Sequence, residues 1–311
     1  MKPATLGMLA LFGTAVLWGS NHVVARASNG VVPLAAYIFW RWSLALPVML
    51  VIAWPSIRRH RATIRAEIGD LCLIGTLGVG VFSGLLVAGA YFSRAVEVSM
   101  INATTPAWVA LLALISGQGR LAGVQWLGLG LAMTGTLVIL SRGDPAVLAG
   151  VEARAGNLFA LAAAILFAWF SLRLRRYSGR LPAFALTTVT AAIGTVLVSV
   201  PFFLVSVLVF GSGIVAEAPQ DTGMAVLILV YAAVGPTLLG NAFYIYGLSV
   251  IGPQRAAAFL YLAPVASSVL AVMFLDEPLH VHHFAGYALI LGGLFMVNRR
   301  GARPAASAPG P

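Results

Sequence analysis

The sequence predicts an all-α integral membrane protein: ten transmembrane helices in two inverted five-helix repeats. Three observations predict it. Of 311 residues, 60% are hydrophobic and only 9% charged, with a mean hydropathy of +0.95; a soluble domain carries about 25% charged residues. Apolar runs of the length needed to cross a hydrocarbon core, about 20 residues, recur along the whole chain. The segment around Pro106, SMINATTPAWVALLALISGQGRL at 99–121, also finds a counterpart around Pro264, AAFLYLAPVASSVLAVMFLDEPL at 257–279. The same 158-residue offset pairs Leu121 with Leu279, Gly128 with Gly286 and Gly135 with Gly293. Five spans per half is an odd number, so the second copy enters the bilayer with reversed polarity. That arrangement marks secondary transporters, with the substrate near the midplane between the halves.

The spans fall near 4–25, 33–54, 69–91, 97–116 and 122–141, then 156–176, 183–209, 223–248, 254–275 and 282–298. They divide the chain into an N-terminal repeat (1–141), a linker on the outer side (142–155), a C-terminal repeat (156–299) and a Pro/Ala-rich tail (300–311) expected to be disordered. Ala25-Arg26-Ala27 has the form of a signal-peptide cleavage site, but the apolar run before it is long and holds Asn21 and His22, so the first span is expected to be retained. The lone Cys72 excludes an intramolecular disulfide framework and a cysteine-based zinc site.

The net charge of +10 is distributed by side. Lys2, Arg58, Arg59, Arg61, Arg65, Arg120, Arg173, Arg175, Arg176, Arg180, Arg255, Arg299, Arg300 and Arg303 share one face of a ten-span topology. Most of the acids, including Glu97, Asp144, Glu217, Asp276 and Glu277, fall on the other. The positive-inside rule then puts both termini in the cytoplasm of a bacterial inner membrane. The basic loops read as topology signals and not as a nucleic-acid surface, with anionic-lipid contact a second possibility.

Several local patterns recur together. The first span holds Trp18-Gly19-Ser20-Asn21 followed by His22-Val23-Val24-Ala25-Arg26; the second holds Pro33 and then Arg41; the ninth is followed by Leu275-Asp276-Glu277-Pro278-Leu279 and a Gly-rich final span. This set resembles the drug/metabolite transporter superfamily, EamA type, and within it most closely the YddG-type bacterial amino-acid exporters. The resemblance covers nearly the whole chain. It implies ten helices in two inverted halves and export of small organic metabolites, aromatic and other neutral amino acids first. Drugs, sugars or nucleotide-linked metabolites are the alternative cargo. One departure is that Glu277 matches Gly119 in the first half, so the acidic helix start is present only once.

Polar groups inside a membrane are costly and tend to face a cavity or another helix. Phe82, Ser83 and Leu86 share one face of the third span, amid glycines that leave room for a ligand or a close helix. Asn102, Ala103 and Thr105 precede or adjoin Pro106, which frees a backbone carbonyl in the preceding turn. A freed carbonyl in lipid needs a partner or a wet cavity, so 102–106 is a candidate binding wall, faced by Tyr261 before Pro264 in the other half. The plain alternative is a helix kink at each proline. Trp169 stands at the repeat position of Trp18, and Asn241 and Tyr244 lie on the eighth span near Pro236; an aromatic-lined cavity with a few donors suits amphipathic solutes. These ten residues are the substrate-binding candidates.

Asn21, His22, Arg41 and Trp108 form a second tier. Asn21 and His22 fit either a gate or helix packing. Arg41, between Trp40 and Trp42, fits either bidentate carboxylate binding or snorkelling to the outer surface, and its shallow depth favours the second. His280, His282 and His283 lie beside Asp276 and Glu277; exposed loop polarity is the expectation, and no metal site or cofactor is expected. Either acid suits capping of the last helix. With no Asp or Glu deep in a span, a facilitated carrier or exchanger is favoured over a carboxylate-driven proton antiporter. The chain lacks a phosphate-binding loop and shows no constellation of an intramembrane enzyme. The expected partners are a small-molecule substrate and lipid, with neither nucleic acid nor an obligate protein partner.

Overall fold

The computed structural model describes residues 2–117, 123–144, 155–177, 179–252, 256 and 259–298. Leu121, most of the 142–155 linker, Arg120, Arg255 and the tail from 299 lie outside them. Among the described residues, ten helices cross the bundle. They are α1 (Pro3–Ala27), α2 (Leu34–Arg59), α3 (Ile68–Phe92), α4 (Ala95–Ile115), α5 (Gly123–Leu140), α6 (Ala155–Tyr177), α7 (Ala183–Leu208), α8 (Pro219–Ile251), α9 (Leu262–Leu275) and α10 (Val281–Asn298). The first eight are long and apolar enough to span a membrane, and α9 and α10 are shorter apolar helices. A short helix, Arg61–Ala66, links α2 to α3.

Several helices depart from the continuous rods that apolar runs suggest. α4 is broken: Ala95–Asn102 ends in a turn at Ala103-Thr104, and Thr105–Ile115 restarts with Pro106 in its first turn. Proline suits that position because its missing N–H has no intrahelical acceptor there anyway. α9 begins just before Pro264 in a similar way, with Tyr261 at its N-cap. α3, α7 and α8 each widen into a π-helical segment, at Thr76–Val81, Thr195–Ser199 and Ala233–Leu239. The last contains Pro236, and Thr237 Oγ1 there bonds the carbonyl five residues back, Ala232 O, at 2.8 Å. Such bulges concentrate at functional positions.

The helices pack in matched pairs. α1 lies against α8 and α9, and α6 lies against α3 and α4. α2 touches the π segment of α8, and α7 touches that of α3. α5 and α10 pair most extensively with each other. Where α5 crosses α10 the backbones meet at two glycine pairs. A Cβ at Gly128 would lie 2.6 Å from Gly293 O, and one at Gly135 would lie 2.5 Å from Gly286 O. The 158-residue offset converts the first contact into the second.

The end of the bundle that carries Lys2 is stapled by ion pairs. Asp70 on α3 meets Arg173 and, at 3.8 Å, Arg176, and it accepts a 2.7 Å bond from Tyr177. Glu67 pairs with Arg180 at 2.7 Å. Arg173 and Arg176 at the end of α6, with Arg180 just beyond it, therefore also form a structural clamp to the start of α3.

Candidate functional site

Arg41 organises a polar region of the helical interior. It sits two turns into α2, only 8% exposed, with Nε donating to Thr237 Oγ1 at 3.2 Å and its guanidinium 5.6 Å from the centre of the Trp42 ring. Arg41 thus does not snorkel to the surface: the π segment of α8 brings Thr237 inward and gives the side chain a reason to stay inside. The Trp42 indole donates in turn to Ser83 Oγ on α3 at 3.0 Å. One turn before Arg41, Tyr37 donates to Asn21 Oδ1 at 3.4 Å, joining α2 to α1.

α1 supplies the facing wall through its Trp18-to-His22 stretch. Ser20 Oγ shares a 2.6 Å hydrogen bond with Tyr231 OH, and Trp18 Nε1 donates to Pro236 O at 3.2 Å. Tyr244 stacks obliquely on Trp18 with ring centres 5.2 Å apart. Asn241 turns its amide onto its own helix, bonding Thr237 O at 2.6 Å. Asn21, His22 and Arg41 are all buried, so this region is closed to solvent.

Two buried nitrogens here are unsatisfied: Arg41 Nη1 and His22 Nδ1 have no hydrogen-bond partner. A guanidinium stays protonated in proteins, and leaving a charge buried without a counter-ion costs on the order of several kcal/mol. Among the described residues the ion pairs involve Arg142, Arg173, Arg176 and Arg180, and none involves Arg41. Arg41 Nη1 thus keeps a donor free of any partner in the interior where α1, α2 and α8 meet.

The remaining sequence candidates fall in three further places. Phe82 and Leu86 on α3 join Tyr261 in an apolar cluster with Ile101 and Ala107 of α4, and Phe82 packs on Phe167 of α6 at 4.8 Å. At the break in α4, Thr105 Oγ1 bonds back to Asn102 O at 2.7 Å and Trp108 Nε1 donates to Thr104 Oγ1 at 3.2 Å, while Asn102 Oδ1 is buried without a partner. Ala103 forms the turn itself, half-buried. Tyr261 O accepts from Tyr287 OH at 2.6 Å. Trp169 belongs elsewhere: it lies with Leu71, Tyr177 and Leu186 in the cluster beside the ion-pair staple, with Arg173 5.9 Å from its ring.

Sequence reasoning names Trp42 as a neighbour of Arg41 but misses Tyr37 and Thr237 as members of the Arg41 region. Tyr37 stands one turn before Arg41, the spacing that places two side chains on one helix face; Thr237 follows a mid-span proline. Both signals are present in the sequence.

The opposite end of the bundle is closed by carboxylates. Glu277, in the α9–α10 connection, accepts from Ala95 N at 3.0 Å and Val96 N at 3.2 Å. It therefore caps α4 of the other half, not α10 as its position in sequence suggests, and it satisfies two amides that helix geometry leaves orphaned. Glu97 accepts from Asn157 Nδ2 of α6 at 2.7 Å and from Ser93 at 3.0 Å. Beside this closure lies a cleft of about 490 Å³ lined by Arg26, Asn29, Arg94, Leu275, Asp276, Glu277 and Pro278.

Comparison with known proteins agrees with this architecture. The sequence is 27% identical over 300 residues to a probable amino-acid metabolite efflux pump of Escherichia coli (strain K12), covering 93% of each chain. It is 26% identical to a probable terminal-alkyne amino-acid exporter of Streptantibioticus cattleyicolor, covering 97% of each. A crystal structure 19% identical in sequence superposes with a TM-score of 0.60 over 94% of this chain and 96% of the other, which shows a shared fold. The profile of the EamA-like transporter family matches twice, at residues 5–141 and 154–299. The chain is a multi-pass membrane protein and belongs to the EamA-like transporter family.

Proposed function

We propose that this chain is an inner-membrane exporter of amino acids that works by alternating access between two inverted halves. The observation that carries the reading is Arg41: a buried cation with an open Nη1 and no carboxylate partner among the described residues. A substrate carboxylate is the natural counter-ion, because guanidinium and carboxylate match as paired donors and acceptors. The amphipathic remainder would extend toward the apolar wall of Phe82, Leu86 and Tyr261 and the broken α4. The paired packing of α1 with α8 and α9, and of α6 with α3 and α4, supports two equivalent halves. The names of the relatives support amino-acid cargo. The distribution of basic residues supports cytoplasmic termini.

Reconstituted protein tests the reading. Saturable uptake of labelled phenylalanine, threonine or methionine into proteoliposomes is the expected result, with and without a pH gradient. Failure of correctly folded protein to move any of them would overturn the amino-acid assignment. Ala103→Trp adds a bulky ring at the turn in α4, where Asn102 Oδ1 already lacks a partner. It should cut uptake by at least about tenfold, the scale of a lost 1.4 kcal/mol of binding. The turn lies between two helices and not within one, so the variant should elute as monodisperse protein. Wild-type uptake by this variant would remove the α4 break from the substrate path.

A further inference from the structure

The geometry points to a transition-metal site formed by Glu97, His282 and His283 at the end of the bundle away from Lys2. One ligand atom from each of these residues lies within 4.8 Å of the others. They come from the first turn of α4 and the first turn of α10, so only the folded chain assembles them. Glu97 and His283 are completely buried, against the expectation of exposed loop polarity for the histidines. Glu97 Oε1, His282 Nε2 and His283 Nε2 are buried and lack hydrogen-bond partners. One such atom is a blemish; three, one on each member of this cluster, describe a space that a ligand fills.

Donor chemistry selects the occupant. Two imidazoles and one carboxylate suit zinc and its neighbours and not magnesium or calcium, which take oxygen ligands. Three protein ligands leave a fourth position open, as in zinc sites that bind water. His280 adjoins the cluster, its ring stacked on that of His282 at 5.3 Å and tilted 5.6 Å from that of His283. Outer support for Glu97 is present: its other oxygen, Oε2, is held by Asn157 and Ser93, which orients the carboxylate as the hydrogen-bond partners of metal ligands do.

Loading has two costs. Arg142 Nε approaches Glu97 Oε1 at 3.9 Å and must swing away; its side chain is 31% exposed, so solvent can receive it. His283 Nδ1 accepts from His280 N at 3.1 Å, which puts the ring proton on Nε2. A metal at Nε2 needs the other tautomer, so that bond must open. His280 belongs to the non-helical 276–280 connection, which can withdraw. A bound metal would clasp the start of α4 to the start of α10, next to the Glu277 cap.

Cobalt is the probe. The purified full-length chain, free of any polyhistidine tag, is titrated with Co²⁺ and then with Zn²⁺. The expected result is a saturable visible absorption band at one cobalt per chain that zinc abolishes, with zinc raising the melting temperature. Loss of even an outer partner weakens metal binding about 10- to 100-fold, so His282→Ala and His283→Gln should each weaken cobalt binding by at least that much. His282 is only half-buried, so the His282→Ala chain should fold even if the His283 variant does not. No saturable band in the wild-type chain, or a band of equal strength in folded His282→Ala, overturns the site.

Discussion

Arg41→Gln should abolish most carboxylate-dependent transport while leaving the fold intact or firmer. The direction on stability follows from the buried, unpaired Nη1: removing a buried charge without a partner relieves a desolvation cost and leaves no orphaned counter-ion behind. The direction on transport is the reverse. Hydrogen bonds to charged groups contribute about 1.5–3 kcal/mol each, so loss of the guanidinium should lower uptake efficiency by about 10- to 100-fold. A substrate carboxamide separates binding from scaffolding. In the wild-type chain the amide of phenylalanine should compete far less well than phenylalanine. In Arg41→Gln the two should compete about equally, because the group that distinguished them is gone. A purely structural role for Arg41, through its 3.2 Å bond to Thr237, predicts otherwise: the carboxamide penalty would persist in the variant, and Thr237→Val would reproduce the transport defect.

Arg41 also shows what the sequence can and cannot disclose about this chain. It reads as shallow from its depth along α2, and only the approach of Thr237 reveals it as internal. Span positions are legible because lipid imposes length and apolarity one segment at a time, and all ten expected spans correspond to helices. The paired prolines are legible for a similar reason: Pro106 and Pro264 have local consequences, although the consequence at Pro106 is a restart after a turn and not a kink in a continuous rod. The π segments are not legible. Thr76–Val81 contains no proline, and within it Gly78 takes the Phe170 ring of α6 where a Cβ would clash, a contact with a neighbour far away in sequence. Glu97 shows the same limit. It reads as one of the acids on the outer side, yet it is completely buried and held by Asn157 and Ser93. Repeat position pairs Trp169 with Trp18, but position along α6 carries it into the cluster beside Asp70, while Trp18 lies against Tyr244.

Gly135→Leu should prevent assembly of the α5–α10 pair, and Gly286→Leu should do the same from the other side. Helices in lipid gain little from burying apolar surface against each other, so their association depends on close packing between small residues. A Cβ at Gly135 would stand 2.5 Å from Gly286 O and 2.9 Å from Ile290 N, both backbone atoms that no rotamer change can move. The helices must separate, and with them go the weak Cα–H···O contacts that such crossings allow. Gly135→Ala should cost about 1–3 kcal/mol, the usual range for overpacking; the leucine variants should yield little monodisperse protein in size-exclusion chromatography. Gly130 is the control. It lies on the exposed side of the same helix, where an added Cβ would meet nothing within 4 Å, so Gly130→Leu should behave like the wild-type chain. The repeat offset sharpens the test: Gly128 faces Gly293 as Gly286 faces Gly135, so Gly128→Leu and Gly286→Leu should be damaging to a similar degree. Damage confined to one member of that pair would mean that α5 and α10 do not contribute equivalently to holding the two halves together.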